Sequence, residues 1–145
     1  MNAAVFDTNV IVSGLLTPRG APGQLVEWLR LGACAAVVDD RVWSEYTEVL
    51  ARPEFAFPAS DVGLLLESVR AHAVWVTPDV RALGTGTTLL PDADDAPFLA
   101  CARQAGVPLV TGNLRHFPQR VARDVEVLLP AVYLQRLQAR DQSDS

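Results

Sequence analysis

Lysine is absent from this 145-residue chain, and its basic charge rests on 12 arginines. The gap weighs against a phosphoryl-accepting receiver-type site, which uses a lysine ammonium to hold the phosphoryl group. Arginine without lysine reads as compositional bias, not mechanism. Histidine and cysteine are scarce too, at two each. Cys34 and Cys101 sit apart among alanines and other apolar residues, with neither zinc-site spacing nor the number a disulfide scaffold needs. They read as buried, reduced thiols of a cytoplasmic protein. No apolar run is long enough to span a bilayer, and no basic stretch precedes an apolar one near Met1, so neither membrane anchor nor secretory signal is expected. Positive charge is in deficit. A net charge of −5 excludes a broad basic coat for nucleic acid. It leaves room for a metal site, which concentrates acids, bordered by a short basic rim.

What is present is a globular composition, half apolar and one-fifth charged. The length fits one domain with a single core. Short apolar runs at 3–6, 35–38, 74–76, 107–111 and 125–128 read as strands. Helical patterns fall at 8–16, 23–31, 41–51, 60–73, within 91–106, and at 131–139. Asp40 reads as the N-cap of the third helix, and Pro53 closes it off. Residues 79–91 read as a loop, and 140–145 as a disordered tail after a domain over 1–139. Strands that alternate with helices and are nearly all apolar predict an α/β sandwich with a mainly parallel sheet of about five strands.

Ligands of open α/β sheets bind beyond the carboxyl ends of the strands, and acids and amides gather there. Asp7-Thr8-Asn9 follows the first strand. Asp7 is either a helix N-cap or a carboxylate held for a cation. In the helix over 41–51, Val42, Trp43, Tyr46, Val49 and Leu50 share one face at about 100° per residue. Glu45 lies at its border, whereas Glu48 points nearly opposite, into solvent. Asp92, Asp94 and Asp95 surround another helix start. One acid suffices to complement a helix dipole, and three in close sequence repel one another unless a cation is present. Asp95 is the favoured ligand, with Asp92 the lesser candidate. Asn113, after the fourth strand, is either a turn residue or an amide ligand. Asp7, Glu45, Asp95 and Asn113, helped by Thr8, Asn9 and Thr111, form an oxygen-only set suited to Mg²⁺ or Mn²⁺ and not to zinc. Arg19, Arg52, Arg115 and His116 are candidate phosphate contacts. The three tryptophans, Trp28, Trp43 and Trp75, could stack on bases, but their apolar settings favour core or interface roles.

The stretches FDTNV, SEYTEVLARP, DADDAPFLACA and VPLVTGNLRHFP, in this order, resemble the PIN-domain family, and most of all its VapC-like toxins. The resemblance runs from Ala3 to about Leu137. It implies a three-layer α/β/α sandwich and a metal-dependent ribonuclease, with Asp7, Glu45 and Asp95 as metal-site acids. The fourth position falls on Asn113, where many relatives carry Asp; Asp92 partly compensates. The toxin branch implies RNA as substrate, a homodimer and a cognate antitoxin. The Asn113 departure keeps open a non-catalytic module that binds RNA or a protein partner. Site chemistry alone leaves DNA open as well.

Overall fold

The computed structural model describes residues 2–79 and 90–143. Five strands, β1 (Ala3–Phe6), β2 (Ala35–Val38), β3 (Val74–Trp75), β4 (Leu109–Val110) and β5 (Val127–Leu128), form one sheet in the order β3-β2-β1-β4-β5, every pair parallel. The helices are α1 (Thr8–Leu16), α2 (Ala21–Leu31), α3 (Asp40–Leu50), α4 (Ala59–His72), α5 (Ala96–Ala105), α6 (Gln119–Ala122) and α7 (Pro130–Ser143). β1 is the central strand, and β2 is buried along its whole length, as strands covered on both faces must be. The largest fully buried side chains are Tyr46, Tyr133, Phe6 and Phe98, and Phe6 meets Tyr133 edge-on at 5.9 Å. Burial of each such ring is worth roughly 1.5–3 kcal/mol.

The chain winds outward through β2 and β3, then returns to the other side of β1 for β4 and β5. Right-handed crossovers therefore place the connecting helices on opposite faces. α2 packs on α1, α4 and α7, while α5 lies on β1, β2 and β4 and touches α3. The strand order reverses between β1 and β4, which opens a crevice at their carboxyl ends. Among the described residues, no helix is long and apolar enough to cross a membrane.

Several boundaries differ from expectation. α2 starts two residues early, because Pro22 is accommodated in a first turn. Asp39, not Asp40, caps α3: its carboxylate accepts from Val42 N at 2.8 Å, and Asp40 is the first helical residue. α5 is preceded by a 3₁₀ turn over Ala93–Asp95. β4 and β5 are two residues each, shorter than their apolar runs. α7 continues to Ser143, so residues 140–143 are helical where a disordered tail was expected. Arg140 reaches Asn2 Oδ1 at 3.3 Å, which ties this helix back to the start of the chain, and Ser143 Oγ donates to Ala139 O within the helix. Most of the expected loop over 79–91 lies outside the described residues. Cys34 and Cys101 are free and buried, and burial pushes their thiols up to about 11 and about 12.

Candidate metal centre

Asp7 leaves β1 and caps α1. Its backbone N–H still donates to Val110 O of β4 at 2.9 Å, while its Oδ1 accepts from Asn9 N at 3.4 Å. Its other oxygen accepts from the Thr111 hydroxyl at 2.8 Å. That hydroxyl in turn accepts from Asn113 N at 3.1 Å, and Asn9 Oδ1 accepts from Gly112 N at 3.1 Å. The ends of β1 and β4 are thus laced together by side chains. Capping and ligand geometry coexist at Asp7, because capping leaves lone pairs on both oxygens.

Asp95 ends the 3₁₀ turn at the mouth of α5 and is only 8 % exposed. Its Oδ2 is buried without a hydrogen-bond partner, and His116 Nδ1 stands 3.5 Å from it. One oxygen from Asp7, one from Asp95 and one nitrogen of His116 lie within 4.8 Å of one another. Burial pushes the Asp95 carboxyl up to about 7, with the nearby Asp7 charge adding to the shift. Burial also raises Asp7, against the opposing hydrogen bond from Thr111. Two desolvated carboxylates side by side are costly, and a cation between them removes both the repulsion and the orphaned lone pair.

Glu45 reaches the same edge from α3. It is half-buried, accepts from the Thr8 hydroxyl, and is raised by burial and by the charges of Asp7 and Asp94. It stands beside the three-atom cluster and not within it. Glu48, one turn on, is exposed and pairs with Arg52 at 3.3 Å, as the helical periodicity requires. Asp92 and Asn113 are both exposed and both cap turns: Asp92 Oδ1 accepts from Asp94 N at 2.9 Å, and Asn113 Oδ1 from Arg115 N at 3.1 Å. Arg52 borders an open cavity of about 650 Å³ together with Ser44, Glu45 and Asp94. Arg115 is exposed in the 3₁₀ turn after β4. His116, named from the sequence only as a candidate phosphate contact, stands beside Asp95. This depends on a 3₁₀ turn over Leu114–His116, which helical or strand periodicity does not signal.

A family model described as a PIN domain matches residues 3–115. The chain belongs to the PIN-domain family. PIN domains are generally nucleases and typically use divalent metals. The match takes in Asp7, Glu45, Asp95 and Asn113 and stops one residue short of His116. Among curated proteins, none matches the chain. The donors of this PIN domain fit a divalent cation: two buried carboxylates, one of them with an unpartnered oxygen, an imidazole, and a third carboxylate alongside.

Proposed function

We propose that this PIN domain is an Mg²⁺- or Mn²⁺-dependent endoribonuclease that hydrolyses phosphodiester bonds in RNA. The observation that carries the proposal is the buried, unpartnered Asp95 oxygen beside Asp7 and His116 at the topological switch point. Asp7, Asp95 and His116 would hold the ion, with Glu45 reaching in from α3. A cation bound there supplies Lewis-acid polarisation of a phosphoryl oxygen and neutralises developing negative charge. Thr111 orients Asp7 through its hydroxyl, and Thr8 fixes the Glu45 carboxylate. Glu45, raised above an ordinary carboxylate, is the group suited to take a proton from the attacking water. Arg52 and Arg115 position phosphates without reading sequence.

The resemblance to VapC-like toxins supports the finer reading: a cytoplasmic, homodimeric toxin silenced by an antitoxin. An acidic crevice favours an arginine-bearing inhibitory segment. A second reading, a non-catalytic RNA- or protein-binding module, is favoured by Asn113, whose amide is committed to its turn. One experiment separates the two. Purified protein is incubated with single-stranded and structured RNAs in Mg²⁺, Mn²⁺ or EDTA, beside an Asp95→Asn variant. Cutting that needs the metal and the acid supports the nuclease; no metal-dependent cutting by folded protein supports the module. Growth arrest on expression, lost in the same variant, tests the toxin role.

A further inference from the structure

The carboxyl edge of the sheet carries a second feature, two strands away from the acids. Trp75 ends β3 and is 41 % exposed, although an indole is among the most costly side chains to leave in water. Trp75 is level with Val38 of β2. The β1–β2 register, Ala3 with Ala35 and Ala4 with Ala36, continues to place Val38 level with Phe6, the residue before Asp7. With neighbouring strands about 4.8 Å apart, the Trp75 backbone stands roughly 10 Å along the edge from the end of β1.

The indole is held in place. Trp43 packs against it with ring centroids 5.7 Å apart, and the Arg70 guanidinium lies 5.1 Å from the Trp75 centroid and 5.7 Å from that of Trp43. Trp75 lines a cavity of about 400 Å³ with Asp39, Asp40, Arg41, Thr77 and Pro78. Asp40 and Arg41 also line the cavity that contains Glu45 and Arg52. The two recesses therefore share a wall, and one of them reaches Glu45, beside the metal centre. Arg41 is paired with Asp39 and Arg52 with Glu48, so Arg70, in none of the described ion pairs, is the cation that backs the two indoles.

The occupant follows from size and chemistry. A cavity of this volume has room for a group the size of a single base. A rigid, arginine-backed aromatic is the device by which single-stranded nucleic acids are held through their bases. We propose that Trp75 is a stacking platform for an unpaired base of the RNA strand, one or two nucleotides from the phosphate at the acids. The placement of the strand relative to the metal centre rests on the nuclease reading; the stacking itself does not.

The test measures binding of short, labelled single-stranded RNAs by fluorescence anisotropy in EDTA, where nothing is cut, for wild type, Trp75→Leu and Trp75→Phe. A stacked base predicts about tenfold weaker binding for Trp75→Leu and near-wild-type binding for Trp75→Phe. RNAs with a single abasic nucleotide give the second measurement. One position should cost wild type a similar factor and cost the Trp75→Leu variant nothing more. Equal affinity of folded Trp75→Leu and wild type would overturn the platform. Should the Leu variant not fold, the lack of any position-specific abasic penalty in wild type would do the same. Matched DNA is a further arm: Trp75-dependent binding there but not with RNA would overturn the assignment to RNA. Cleavage by wild type in Mn²⁺ is scored separately. Trp75-dependent binding without cutting leaves the platform standing and removes the nuclease, whereas cutting without Trp75 dependence does the reverse.

Discussion

Two populations of acids in this protein contrast. Around the β1–β4 crevice, Asp7, Glu45 and Asp95 are all raised, with burial the largest cause in each. On the outer surface, Glu27, Asp124 and Glu126 are all lowered, each by an arginine that meets it directly: Arg30, Arg103 and Arg136. The surface acids sit where folding costs them little. The crevice acids are held against their own electrostatics, without a cationic arginine among the described ion pairs to offset them. Buried carboxylates clustered in a crevice with only a histidine and hydroxyls to offset them mark a candidate functional site.

The sharpest way to break this comparison is to remove the most strained acid. Asp95→Asn should lower metal-dependent RNA cleavage by more than about a hundredfold, since even outer partners of metal ligands reach that figure. Its far-UV dichroism should match wild type. Retained cleavage would return Asp95 to the ordinary carboxylates.

The next effect is on stability, with a sign that separates the two populations. Asp95 goes from an ordinary value near 3.8 unfolded to about 7 folded, so the folded state binds the extra proton. Its contribution is fully present below about pH 4 and is lost as pH rises through about 7. In EDTA, urea melts should show the protein losing on the order of 4 kcal/mol across that window, with the loss largely absent in Asp95→Asn. Saturating Mn²⁺ should restore it by mass action. The lowered surface acids act in the opposite direction: their small contributions are present above the unfolded value and fade as pH falls.

Smaller effects sharpen the crevice itself. Thr111→Val removes the hydroxyl that donates to Asp7 at no cost in volume, and should weaken Mn²⁺ binding about tenfold by calorimetry. His116→Gln tests the nitrogen donor. Imidazole suits transition metals better than Mg²⁺, so wild type should prefer Mn²⁺ to Mg²⁺, and the variant should narrow that preference by a factor of about ten. An unchanged ratio would place His116 outside the coordination sphere.

Much of this was legible in the chain. Asp7 stood out because an acid closes an apolar strand, and helical periodicity separated Glu45 from Glu48. The parallel order followed from strands apolar on both faces. What was not legible depended on irregular backbone. A 3₁₀ turn brings His116 round to the acids, and pattern arguments built on 3.6 or 2 residues do not reach such a segment; the turn role of Asn113 was one of the two readings its sequence offered. Asp39 and Asp40 differ by one residue, below the precision of any cap signal. Trp75 looked like core because its neighbours are valines, but β3 is only two residues long and leaves the ring at the sheet's edge.

The smallest effect belongs to the surface population and bears on the comparison all the same. Arg136 and Glu126 form a two-pronged pair, 2.6 and 2.7 Å long, with the carboxylate half-exposed. Its geometry is better than that of anything in the crevice, yet water and salt screen it and two long side chains are immobilised to make it. Glu126→Gln should therefore cost no more than about 0.5–1 kcal/mol, less at high salt, and leave metal binding untouched. A loss above roughly 2 kcal/mol would mean that well-paired surface acids carry real stability here. The crevice acids would then differ from them by degree of pairing alone, and their burial would no longer set them apart.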